Sequence, residues 1–405
     1  MMFILAWRNM WRNKLRSIVI ITAVTLGIFS GIFFIAFSYG MMNDRVQIII
    51  GTEVSHIQIH QPRFKDNNQL TDCMADANHI VKKAESAPHV IAASKRLIIN
   101  AMMASAETGT GVLVTGVDPD AEKRVTLLST KIIEGKYLDS TGRNSIVISE
   151  RLAQKLKVGL KNKLIITLQD IHQNITGGAF RVVGIYRTDN MMFDEANVYV
   201  RNPDLEAFTG LSNSQAHEIA ILLSDNEQTD GVARELSGYF PNLDVQTWLQ
   251  LSPEAGYLVS AMGQYMLFFI VVILLALCFG IINTMLMVIM ERMRELGMLM
   301  AIGMSRKRVF VMIMLETIFL SLTGGTLGLL IGYATTQYLG RVGLDLYFWK
   351  EAFAEMGYAS LIYPTIDHQT MWLTAIMIVV AGMASSLYPA YRALKINPSD
   401  AIRTQ

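Results

Sequence analysis

Long uncharged runs alternate with ordinary mixed sequence in this chain, and the runs set its architecture. Residues 17–42 form 26 positions without a charge, against the roughly 20 apolar residues an α-helix needs to cross the hydrocarbon core. A second uncharged run, 257–290, holds 34 residues, which as helix reaches about 50 Å at 1.5 Å per residue and exceeds the bilayer. Its early part contains Ser260, Gly263 and Gln264, so the helix is expected to begin outside the membrane as a stalk. The third run, 309–340, carries a single acid, Glu316, and the fourth, within 370–391, is uncharged up to Ala390. Four spans are predicted. A cleaved signal peptide competes for the first run, since Lys14 and Arg16 precede it, but its apolar region would be only about 7–15 residues long.

Lys and Arg in the short connections orient the spans. The segment 1–16 has Arg8, Arg12, Lys14 and Arg16 and no acid; 291–308 has Arg292, Arg294, Arg306, Lys307 and Arg308; and 392–405 has Arg392, Lys395 and Arg403. All three are expected in the cytoplasm. The loop 341–369 sets two bases against Asp345, Glu351, Glu355 and Asp367 and belongs on the opposite side. Arg8, Arg12 and Arg16 recur every fourth residue, with Phe3, Trp7 and Trp11 on another stripe, so 1–16 reads as an amphipathic helix on the cytoplasmic surface.

Between the first two spans, 43–256 is long enough for one large or two small domains with their own cores. β-rich runs occur at 54–59, 111–117, 146–148, 163–168, 180–186 and 219–223, and helical runs at 74–85, 150–156, 203–208 and 229–239. The fold class is therefore a four-helix membrane protein with a large α+β extracytoplasmic domain inserted between helices one and two. Two lobes are expected, the inner one near 109–180. His56 and His60 have the spacing of a metal pair on a helix, but the alternation says strand, which separates them by about 13 Å and leaves two solvated side chains.

Composition narrows the class. At 52% hydrophobic and 17% charged, the chain is too apolar for a soluble protein and too charged to lie wholly in the membrane. A net charge of +1 argues against a nucleic-acid partner. Cys73 and Cys278 stand far apart and suggest neither a disulfide framework nor a metal site. Glu316 should face protein and pair with a base such as Arg294, Arg12 or Arg392. Gly324, Gly328 and Gly332 share one face of the third span, as Gly27 and Gly31 do in the first, which suits close helix packing, within one chain or across a dimer. Arg294 to Ile302 is a helix-compatible stretch that Gly303 can stop. Asn397 before Pro398 reads as a helix start.

Three segments carry a resemblance: Ala6-Trp7-Arg8-Asn9-Met10-Trp11-Arg12-Asn13-Lys14-Leu15-Arg16-Ser17; Glu291-Arg292-Met293-Arg294-Glu295-Leu296-Gly297 continuing to Ala301-Ile302-Gly303-Met304-Ser305-Arg306; and Tyr388-Pro389-Ala390-Tyr391-Arg392-Ala393 with Asn397-Pro398-Ser399-Asp400-Ala401-Ile402-Arg403. Together with 146–159 they resemble the MacB, lipoprotein-releasing and FtsX superfamily of ABC permeases. The resemblance implies a bacterial inner-membrane subunit with both termini cytoplasmic. Its ATPase would dock on 291–308 through Glu291, Arg292, Arg294, Glu295, Gly297, Ala301, Gly303, Ser305 and Arg306. GxxxxGK[ST] is absent from the sequence, as are GxSxG, HExxH and EF-hand patterns. A non-catalytic chain without a cofactor of its own is expected, ATP and Mg being handled by a partner ATPase. Further expected partners are a second permease, identical or paralogous, membrane lipid, and a periplasmic lipoprotein or carrier. The size of 43–256 favours the MacB and lipoprotein-releasing branch over the FtsX-like one, and lipoprotein release is the leading expectation. Efflux of small molecules or peptides with a periplasmic partner, as in MacB, and regulation of cell-wall hydrolases, as in FtsX, are the alternatives.

Overall fold

The computed structural model describes residues 7–8, 11–12, 14–366 and 368–394, and the chain divides into two compact units. One comprises Met1–Met42, Val259–Asp345 and Leu361–Gln405; the other comprises Asn43–Leu258 and Leu346–Ser360. Phe3, the Arg16 side chain, and the C-terminal signature with Asn397, Pro398 and Arg403 lie outside the described residues.

Among the described residues, four helices of the first unit are long and apolar enough to cross a membrane. They run Lys14–Ile48, Pro253–Glu291, Arg306–Val342 and His368–Leu394, each beyond its uncharged run because polar flanks continue the helix. On the first, Ile20, Val24, Ile28 and Ile32 are buried at every fourth position, a spacing that stacks them on one face. That face meets the glycines of the third span. A Cβ on Gly324 would stand 2.9 Å from the Ile21 carbonyl oxygen, one on Gly328 2.9 Å from the Thr25 oxygen, and one on Gly332 3.1 Å from Ile32. The backbones are close enough for Thr25 Oγ1 to donate to the Gly324 carbonyl at 3.1 Å. Gly27 faces Leu277 of the second span at 3.0 Å, and Gly31 faces Ile273 at 3.6 Å. Both glycine sets pack helices of the same chain, since lipid rewards close van der Waals fit where it offers no hydrophobic drive.

The second unit is α+β. Its ten strands are β1 Ile57–His60, β2 Val90–Ala104, β3 Gly109–Val117, β4 Ile132–Gly135, β5 Ser145–Ser149, β6 Lys163–Gln169, β7 Ile175–Tyr186, β8 Asn197–Arg201, β9 Glu218–Leu223 and β10 Asp244–Thr247. They form one sheet in the order β10-β1-β9-β2-β3-β8-β5-β7-β4, with β6 bridging β2 and β7. The domain expected as two lobes thus shares a continuous sheet that carries two main cores. One draws on Leu97, Met103, Val114, Ile148, Leu164, Ile166 and Phe180, and the other on Ile57, Ile59, Ile80, Ile219, Ile221 and Leu236. β6 alternates strictly between exposed and buried positions, as a strand with one solvated face must. The helix Glu150–Leu156 begins where Ser149 Oγ accepts from Leu152 N at 3.1 Å, an N-cap.

Two expectations are corrected here. The strand read at 54–59 starts only at Ile57, because Ile49–Val54 is a π-helix and Ser55 turns the chain at φ +62°. His56 and His60 are buried, at 7% and 1% exposure, and not solvated. His56 Nδ1 accepts from Leu223 N at 3.1 Å, and His217 Nδ1 from Ile98 N at 3.0 Å, so both rings are neutral acceptors. Burial depresses the pKa of all three, that of His56 to about 4. A buried ionic cluster crosses the same sheet: Arg96 donates to Glu122 at 2.6 Å and Glu218 at 2.8 Å, and Lys65 to Glu218 at 2.6 Å.

Two outcomes follow from this packing. Gly328→Leu should cost about 1–3 kcal/mol through overpacking, seen as a lower thermal midpoint in detergent, whereas Gly280→Leu, with nothing within 4 Å of its Cβ, should leave the midpoint unchanged. The depressed histidine pKa values mean that the unfolded chain binds more protons below pH 6.5, so stability should fall as pH drops from 6.5 toward 4. Asp194, raised by burial to about 6, and Glu206, also raised by burial, oppose this with two groups against three. Scanning fluorimetry at pH 7.5 and 5 should show a lower midpoint at pH 5, and a smaller difference in His56→Asn.

Candidate coupling site

The second span ends at Glu291, and the chain turns through Arg292 into a short helix, Met293–Ala301. Gly303, at φ +106°, stops it; Gly303 N donates to the Met300 carbonyl at 3.1 Å and Met304 N to that of Leu299 at 3.0 Å. This is an αL-type helix end, where glycine escapes the Cβ clash. Ser305 then occupies the N-cap position of the third-span helix and Arg306 is its first residue. The elbow is thus two helix ends and a short helix within 16 residues of chain, 291–306.

One face of the short helix is held by apolar contact. Leu296 and Gly297 are buried, and Leu296 joins Val288, Ile289, Val309, Met312 and Ile313 in the core of the membrane unit. Above that core runs a chain of alternating charge. Arg12 pairs with Glu295; Arg292 reaches Glu295 at 3.1 Å and Glu316 at 3.0 Å. Arg292 and Glu316 are 12% and 8% exposed, whereas Arg12 and Glu295 are about half exposed at 52% and 44%. The Arg12 guanidinium, joined by Arg292, holds the Glu295 carboxyl below its ordinary range.

Glu316 therefore pairs with Arg292, which corrects the expectation of Arg294, Arg12 or Arg392. Arg292 sits at the break between two helices, outside both helical registers, and a side-chain direction at such a break cannot be read from spacing. The clue was the requirement itself: a carboxylate in a span needs a cation, and Arg292 is a basic residue beside the span end. Arg294 is exposed and makes no ion pair among the described residues. With Met298, 52% exposed, and Ile302, 86% exposed, it lies on the outer face at every fourth position. Ala301, Gly303, Ser305 and Arg306 are exposed as well. The expected coupling residues thus fall into an anchor, buried at Arg292 and Gly297 with Glu316 and half-exposed at Glu295, and an outward face. Among the described residues no cluster of His, Cys, Asp and Glu could hold a metal.

Comparison with known proteins adds two family matches. Residues 17–239 match the MacB-like periplasmic core domain, and residues 267–398 match the FtsX-like permease C-terminal domain. The lipoprotein-releasing system transmembrane protein LolC of Neisseria meningitidis serogroup B is 22% identical over 97% of this chain and 95% of its own length. Its counterpart LolE of Haemophilus influenzae is 20% identical over 99% and 98%. The crystal structure of the periplasmic region of MacB from Actinobacillus actinomycetemcomitans is similar over 51% of this chain and 94% of that one, at 12% identity and a TM-score of 0.36.

Neutralising Glu316 leaves the buried Arg292 with only the half-exposed Glu295 as counter-charge, so Glu316→Gln should lower stability by about 1–3 kcal/mol. The double variant Arg292→Met/Glu316→Leu should recover most of that loss, because it removes both charges. Arg12→Ala, at the exposed end, should cost about 0–1 kcal/mol. Thermal unfolding of the three variants in detergent checks the order.

Proposed function

The chain belongs to the MacB, lipoprotein-releasing and FtsX superfamily of ABC-transporter permeases, and on that premise we propose that it drives lipoprotein release from the bacterial inner membrane. In this reading ATP and Mg are bound by separate cytoplasmic ATPase subunits, a second permease completes the membrane part, and both termini face the ATPase side. The observation that carries it is the elbow. A helix anchored on one face to the second and third spans and presenting Arg294, Met298 and Ile302 on the other is built to be pushed. The charge chain through Arg292 to Glu316 ties that helix to the third span, so force on the outer face moves both spans. Likeness to LolC and LolE over nearly the whole chain supports a lipoprotein as cargo.

Arg294→Glu/Ile302→Glu should reduce co-purification of the ATPase subunit by tenfold or more, an effect on the order of a hot-spot loss, with the thermal midpoint unchanged. Unchanged co-purification would remove the elbow from the interface. Photo-crosslinkers placed in the extracytoplasmic domain should capture an acylated lipoprotein; capture of a cell-wall hydrolase or an efflux adaptor instead would redirect the assignment of cargo.

A further inference from the structure

The α+β unit contains a cavity of about 630 Å³ walled by its own strands and helices and by the segment joining the third and fourth spans. Most of its charges already have partners. Lys131 pairs with Asp189 at 2.9 Å and Arg187 with Glu150 at 3.2 Å. Asp194 accepts from Thr188 N at 3.0 Å and Thr188 Oγ1 at 2.7 Å. Four charged groups on the wall, Arg151, Asp194, Lys350 and Glu351, make no salt bridge among the described residues, and Arg151 lies within electrostatic reach of Asp194. The Arg151 guanidinium donates to Met191 Sδ at 3.1 Å, Lys350 Nζ stands 5.8 Å from the Tyr347 ring centre, and Glu351 is exposed. Two cations and two carboxylates without a salt bridge among the described residues, with the rings of Tyr347 and Tyr358, do not suit a simple anion, which Glu351 and Asp194 would repel. They suit a zwitterion: guanidinium and ammonium for phosphate oxygens, carboxylate and tyrosine faces for an ammonium.

A second observation concerns where such a molecule would come from. Beside the cavity, on the segment that joins two membrane spans, Tyr347, Phe348, Trp349 and Met356 are 73%, 89%, 55% and 72% exposed. Three consecutive exposed aromatic residues with a lysine after them match the composition of a membrane–water interface. We propose that this cavity binds the headgroup of a zwitterionic phospholipid, with its phosphate on Arg151 and Lys350, its amine on Glu351 and the tyrosines, and Phe348 and Trp349 at the acyl boundary. The site takes lipid from the bilayer.

The test uses the full chain in nanodiscs of phosphatidylethanolamine and phosphatidylglycerol in equal parts, transferred to detergent, with retained lipid measured by mass spectrometry. The wild type should retain phosphatidylethanolamine over phosphatidylglycerol by about tenfold, the worth of one charge-assisted contact. Glu351→Gln should keep lipid but lose the preference, and Arg151→Gln/Lys350→Gln should lose both. Equal retention of the two lipids by the wild type, or a preference that survives Glu351→Gln, would overturn the proposal. Displacement of the lipid by an equal concentration of glycerophosphoethanolamine would overturn the lipid source, since the headgroup alone would then suffice. Should the double variant fail to fold, Glu351→Gln, an exposed change, decides alone.

Discussion

A carboxylate set among apolar helices has to be met by a cation, because the hydrocarbon region offers it no water. In this chain that requirement joins Glu316 to Arg292 and, through Glu295, to Arg12. Three otherwise separate pieces of chain are fixed by it: the approach to the first span, the end of the second and the upper part of the third. Apolar contact at Leu296 would hold the short helix loosely in rotation. The paired charges fix which face is turned inward, and therefore which is left outside.

The glycine stripe works on the same unit by a different route. Gly324, Gly328 and Gly332 bring the third span against the first at backbone distance, where dispersion and one Thr25 hydrogen bond replace the hydrophobic drive that lipid cannot provide. The α+β unit solves its polar problem as the membrane unit does. Arg96, buried with Glu122 and Glu218, joins β2, β9 and the helix Pro119–Val125. In both units a burial that would otherwise be destabilising is tolerated because each charge is fully met, and the result is a specified geometry more than a gain in stability.

Much of this was legible in the sequence. The four spans, the short helix ended by Gly303 and the helices at 150–156 and 229–239 follow from charge gaps, caps and period. β2, the longest strand, did not show itself because its middle is covered on both faces, which erases the period of two. β8 was missed as well, since Val198 to Arg201 are covered on both faces. Around the site, positions on one helix could be grouped by spacing, so Arg294 was separable from Leu296. The partner of Glu316 could not, since Arg292 lies at a break where no helical period applies. Burial of His56 and His60 was equally hidden, because a strand of alternating sequence can still be covered on its polar face by another element.

The packing of Leu346–Ser360 into the α+β unit has a topological consequence. The chain passes between the two units four times, after Met42, Leu258, Asp345 and Ser360. The unit is therefore assembled from two separate stretches of sequence. It cannot be cut free as one continuous stretch of gene. A fragment spanning 43–258 would lack part of the wall of its own cavity, so this domain is complete only while it remains attached to all four spans.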